Sequence, residues 1–125
     1  MPTFVIPATD AAEAAEALRG LAHATSVFDR PATSYEVLGD LSAGLHSLRQ
    51  VLEQLARLHA DANVPSDSRL SAEERLADGQ RTAAAAATNL LGAVQAVAAA
   101  AALVDLAHAD SSRLVWPVPG SAAVE

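Results

Sequence analysis

Leu38, Leu41, Leu45, Leu48, Leu52 and Leu55 recur at alternating spacings of three and four residues, and His59 follows in the same phase. Such a heptad row is what a helix packed along a partner helix requires. Thr33 with Glu36 has the spacing of a capping box, and the turn formers from Asn63 to Ser68 close the pattern. A helix is therefore predicted over about 34–61, with Glu53 and Arg57 four apart on its outer side.

A second row of the same period runs through Leu76, Gln80, Ala83, Ala87, Leu90, Val94, Val97, Ala101, Val104 and His108. Alanine replaces much of the leucine here, so the backbone can come close to its neighbour. Ser71 with Glu74 supplies the start, which predicts a helix over about 72–109. Asp10 and Glu13 open a shorter helical pattern over about 10–25, which Arg30-Pro31 ends because the residue before proline leaves helical geometry. Residues 1–8 and 113–125 read as extended termini of a single domain spanning 1–125, with Pro117 and Pro119 forbidding helix in the second.

These elements predict an all-α chain: a short N-terminal helix and a long antiparallel hairpin. Leu58, Leu91 and Leu103 broaden the apolar face beyond what the short helix can cover, so a homodimer completing a four-helix-bundle-like core is expected. The expected interaction surface is Leu38, Leu41, Leu45, Leu48, Leu52, Leu55, Leu90, Val94 and Val97. Trp116 joins it, because Leu114-Val115-Trp116 and Phe4-Val5-Ile6 are apolar segments outside the long helices that can dock in cis, pair with each other as a short strand, or anchor a further, unidentified protein.

The stretch from Thr82 to Val104 carries no charge and is long enough to cross a bilayer. Thr88, Asn89 and Gln95 interrupt it, and no Lys/Arg cluster flanks it, so no membrane span is expected. Within it Gly92 and Ala96 form a small-xxx-small pair, as Gly39 and Ala43 do in the preceding helix. Asn89 lies beside the heptad row, where a polar side chain can set register between chains.

Composition narrows the chemistry. The formal charge is −7 with eight arginines and no lysine, which leaves no basic stripe for a phosphate backbone, so nucleic acid is not an expected partner. Abundant Ala and Arg with no Lys suggests a GC-rich bacterial genome. Absence of cysteine excludes disulfides, thiol catalysis and thiolate metal sites. The start Met1-Pro2-Thr3-Phe4-Val5-Ile6-Pro7 lacks the charged and apolar regions of a secretory signal, so a cytoplasmic location is expected.

No catalytic constellation is visible. Asp105 and His108 have a metal-ligand spacing, but His59 and His108 fall at opposite ends of an antiparallel hairpin, and neither His-Glu-x-x-His nor paired Glu-x-x-His motifs occur. The glycines are dispersed rather than gathered in a phosphate loop, and no Gly-x-Ser-x-Gly elbow exists. No cofactor or metal is expected. The reading is a non-enzymatic helical interaction or adaptor protein; a ligand-binding bundle using the histidines with Asn89 or Gln95 is the alternative among soluble binders.

Phe4-Val5 with Pro7, followed by an alanine-rich helix, resembles the proline-glutamate substrates of type VII secretion. The resemblance is confined to the N-terminal segment and implies a helical hairpin exported as a folded dimer. The chain departs from that pattern in having no Trp-x-Gly turn and no Tyr-x-x-x-Asp/Glu after the hairpin.

Overall fold

The computed structural model describes residues 5–117, all of whose regular structure is helical. The order is α1 (Pro7–Thr25), a single 3-10 turn (Pro31–Thr33), α2 (Ser34–Ala60) and α3 (Ala72–Ser111). Two compact units are present among the described residues, one holding α1 and the 3-10 turn with Trp116 and Pro117, the other spanning Ser34–Val115.

α1 begins at Pro7, three residues before the expected start, because a proline's locked φ and missing N–H suit the first helical position. Asp10 donates its backbone N–H to the Ile6 carbonyl, closing that first turn. None of its residues is buried. Phe4 and residues 118–125 lie outside the described residues, and with them part of both apolar termini.

In the second unit α2 and α3 pack as an antiparallel hairpin. The expected limits hold to within a residue for α2 and two for α3. Their starts differ. The Thr33 hydroxyl donates to the Arg30 carbonyl at 2.8 Å, so the chain winds into α2 through the 3-10 turn. α3 opens on the predicted box: Glu74 N–H donates to Ser71 Oγ at 3.3 Å, and Ser71 N–H to Glu74 Oε2 at 3.1 Å. That backbone donor holds the Glu74 carboxyl below its ordinary pKa, with the Ser71 side chain adding to the shift.

At 1.5 Å per residue α2 is about 40 Å long and α3 about 60 Å, so the first turns of α3 extend past the end of α2. The connecting loop covers them. Ser66 N–H donates to the Arg75 carbonyl at 2.8 Å, and Gln80 Nε2 to Asn63 Oδ1 at 2.8 Å. The Arg75 carbonyl is within reach because Gly79, one turn on, has no side chain to shield it. A Cβ there would stand 1.9 Å from the Val64 carbonyl oxygen. This is the position where glycine is required by close backbone approach.

Small side chains make the interior of the hairpin. Ala56 on α2 and Ala87, Val94 and Ala101 on α3 are its buried apolar residues, Ala101 to 1% exposure. No large side chain among the described residues is fully enclosed. Two helices alone make one layer, and a layer leaves both of its flanks open to solvent.

Candidate interaction surface

The leucine repeat of α2 divides into two rows. Leu38, Leu45 and Leu52 are half-buried and share the α3-facing side with buried Ser42 and Ala56. Leu41, Leu48 and Leu55 stand a quarter-turn away; Leu41 is half-buried, whereas Leu48 and Leu55 are exposed at 41% and 39%. With Val37, Gly44, Val51, Leu58 and Ala62 this second row again alternates spacings of three and four, without a charged residue. One leucine period was thus serving two directions, since in a heptad the position just before an inward residue lies on its flank.

α3 follows the predicted phase closely. Leu90, Val97, Val104 and His108 are half-buried and Val94 is buried, alternating with buried Ala87 and Ala101. Leu76 and Gln80 depart from that phase: both are exposed, and Gly79 takes the inward place under the loop. On the flank beside the second α2 row, α3 presents Ala86, Ala93, Ala96, Ala100 and Leu103, with Thr82 and Asn89 as polar members. An open cavity of about 770 Å³ at the loop end is lined from both helices by Leu58, Ala62, Thr82 and Ala86, and by Val64 and Pro65 of the loop, so the two rows border one groove.

The opposite flank is polar. The Ser42 hydroxyl donates to one oxygen of Asp105, and His46 Nε2 lies 3.2 Å from the other. Nearby, the His108 ring stacks on Tyr35 with centroids 4.1 Å apart, and Gly39 makes room for it: a Cβ there would meet His108 Nε2 at 3.1 Å. Serine, aspartate and histidine are all present, but the carboxylate sits between the other two. A serine nucleophile needs the imidazole next to it as base, so this order ties α2 to α3 rather than activating Ser42.

The Ser42 hydrogen bond, followed by that of His46, holds the Asp105 carboxyl below its ordinary pKa, against the opposing effect of desolvation. A carboxyl whose pKa falls on folding contributes stability above the usual carboxylate range and loses it as pH drops through the lowered value. The thermal midpoint followed by circular dichroism should therefore decline on acidification below about pH 4. Asp105→Asn should make that decline shallower; an unchanged slope would show that these bonds do not hold the helix ends together.

Among the described residues, no group of three or more His, Asp or Glu side chains gathers closely enough to hold a metal ion. His59 Nδ1 donates to the Leu55 carbonyl at 2.8 Å at the loop end, remote from His108, as an antiparallel hairpin dictates. Asn89 and Gln95 are both exposed. Gly92 and Ala96 are also exposed, and a Cβ at Gly92 would meet nothing within 4 Å, so this small pair does not serve the α2–α3 contact. Trp116 is exposed at 40% and Leu114 and Val115 more so.

α3 is long and apolar enough to cross a membrane by length and composition, with 11% of its most apolar window buried. Glu36, Asp40, Arg49, Glu53 and Arg57 lie on the helix packed beside it. No protein-family model, no curated protein and no solved structure matches this chain. Two signals for the groove were present in the sequence: Val51 and Leu58 extend the phase of Leu41, Leu48 and Leu55, and charges are absent from that phase.

Proposed function

We propose that the chain is a non-enzymatic helical interaction or assembly protein of the cytoplasm, which acts by packing its hairpin against further helices. The observation that carries this reading is the row Leu48, Val51, Leu55 and Leu58: heptad-spaced, uncharged and exposed on a hairpin that encloses no large side chain. Exposed leucine in single positions is ordinary, whereas a contiguous apolar row on one flank is the mark of a contact surface. Leu38, Leu45, Leu52, Leu90, Val94 and Val97 build the hairpin that presents the row, and Trp116 offers a separate aromatic anchor.

The same row favours a protein partner over a bilayer. For α3 to insert, α2 with its five charged side chains would have to accompany it or separate from it, and either course costs several kcal/mol per charge or forfeits the hairpin's packing.

The test is affinity recovery of the tagged protein from its own host. Leu48→Asp places a charge in the row and is expected to abolish recovery of whatever protein the wild type retains, a tagged protein's untagged copy included. Trp116→Ala reads whether the C-terminal anchor contributes. Undiminished recovery with both variants would refute the reading.

A further inference from the structure

We infer that the helices covering this groove belong to a second copy of the chain, joined by a two-fold axis running parallel to the helices. The inference rests on the interaction reading above and identifies its partner. Its basis is the way large and small residues alternate across the groove at three of its levels.

Ser42 meets Asp105 and Gly39 lies against His108, which sets which residues of the two helices are level. Moving along α2 and back along α3 by equal steps, Gly44 is level with Leu103, Leu48 with Ala100, and Leu55 with Ala93, each to within a residue. At every one of these levels one helix has a leucine and the other a glycine or alanine. The order reverses at the first: there α2 carries the hole and α3 the knob. Leu103 is 67% exposed, and a Cβ at Gly44 would meet nothing within 4 Å.

When two such grooves meet face to face about an axis parallel to the helices, α2 of one copy lies over α3 of the other at unchanged level. Leu48, Leu55 and Leu103 then enter the other copy's Ala100, Ala93 and Gly44 positions, Leu58 falls beside Asn89, and all four helices are antiparallel to their neighbours. A two-fold interface requires a surface complementary to itself, and this groove meets that requirement without any other sequence. An axis across the helices would instead set leucine rows on leucine rows.

Area and charge agree. The exposed fractions of the groove's side chains correspond to on the order of 700 Å² of mostly apolar surface per chain, close to the ~800 Å² that each partner gives a stable complex. With a net charge of −7 per chain, two copies repel through charged surfaces; this flank carries no charge between Leu41 and Leu58, and its acidic residues Asp61, Asp67 and Asp110 lie at its two ends. The chain's own α1 is a poor substitute, because its large apolar side chains are only Leu18 and Leu21.

Sedimentation equilibrium on the full chain tests the inference. The wild type is expected at twice its 12.8 kDa mass. Gly44→Leu sets a leucine against the partner's Leu103 and should weaken the dimer at least about tenfold, which corresponds to ~1.4 kcal/mol. Adding Leu103→Ala to the same chain should restore it, and Ala102→Leu, at an exposed position turned away from the groove, should leave it unchanged. Circular dichroism verifies that each variant keeps its helices. A monomeric wild type, a dimer indifferent to Gly44→Leu, or a failure of Leu103→Ala to rescue a folded Gly44→Leu chain would each overturn the inference. The two readings fail separately: a monomeric chain whose recovered host protein is lost on Leu48→Asp keeps the interaction reading without the second copy.

Discussion

Gly79→Ala is expected to destabilise the hairpin by about 2 kcal/mol, within the range for forcing an extra carbon into a filled site. The added methyl would stand 1.9 Å from the Val64 carbonyl oxygen and 2.9 Å from the Pro65 carbonyl carbon, which are backbone atoms with no rotamer to change. The loop has to lift, and the Ser66 N–H to Arg75 carbonyl bond goes with it. Alanine's better helix propensity, about 1 kcal/mol over glycine, offsets only part of this. In a thermal melt at fixed protein concentration the midpoint should drop by roughly 8 °C, taking about 4 °C per kcal/mol for a chain of this size. Gly92→Ala is the matched comparison: its Cβ meets nothing within 4 Å, so propensity acts alone and stability should rise by roughly 0.5–1 kcal/mol. Equal effects at the two glycines would mean that the loop does not lie on α3 as described.

Ala101→Leu is expected to cost about 1–3 kcal/mol, because Ala101 is 1% exposed and the hairpin interior has no room for three further carbons. Ala99→Leu adds the same atoms two residues away on the exposed side and should stay within about 0.5 kcal/mol of the wild type. Denaturant titration separates the two. The contrast tests the role given to alanine in α3: proximity on one side, an ordinary helix surface on the other. If both substitutions are tolerated, the helices are farther apart than the small side chains imply.

Much of the hairpin was legible in the chain itself. Ser71 and Glu74 announced the start of α3, and both reciprocal bonds form, because a capping box depends only on residues three apart. The phase of Leu90, Val94, Val97 and Ala101 likewise marked the inward side of α3, since a helix has one inward face and its period is local information. Thr33 and Glu36 offered the same start signal at α2, yet the Thr33 hydroxyl turned back to Arg30 once Pro31 drew the chain into a 3-10 turn.

The candidate surface was legible in composition and not in direction. Leu38, Leu41, Leu45, Leu48, Leu52 and Leu55 read as one seam because their spacing satisfies a single heptad row. Only the contact between the helices splits them. Once Ser42 and Ala56 occupy the inward side, Leu48 and Leu55 are left on the flank, beside Ala93 and Ala100. The Ser42–Asp105–His46 group was likewise hidden, as its members come from sequence positions roughly sixty apart, and only register unites such residues.

By itself, then, the sequence determined that this protein is helical, where α2 and α3 run, and that alanine permits close approach, because periods, caps and side-chain size act within a few residues. The tertiary structure decided which leucines face inward, why Gly79 must be glycine, and which residues of the two helices share one groove. Those properties depend on the angle and level at which two helices meet, and no local pattern in either helix contains them.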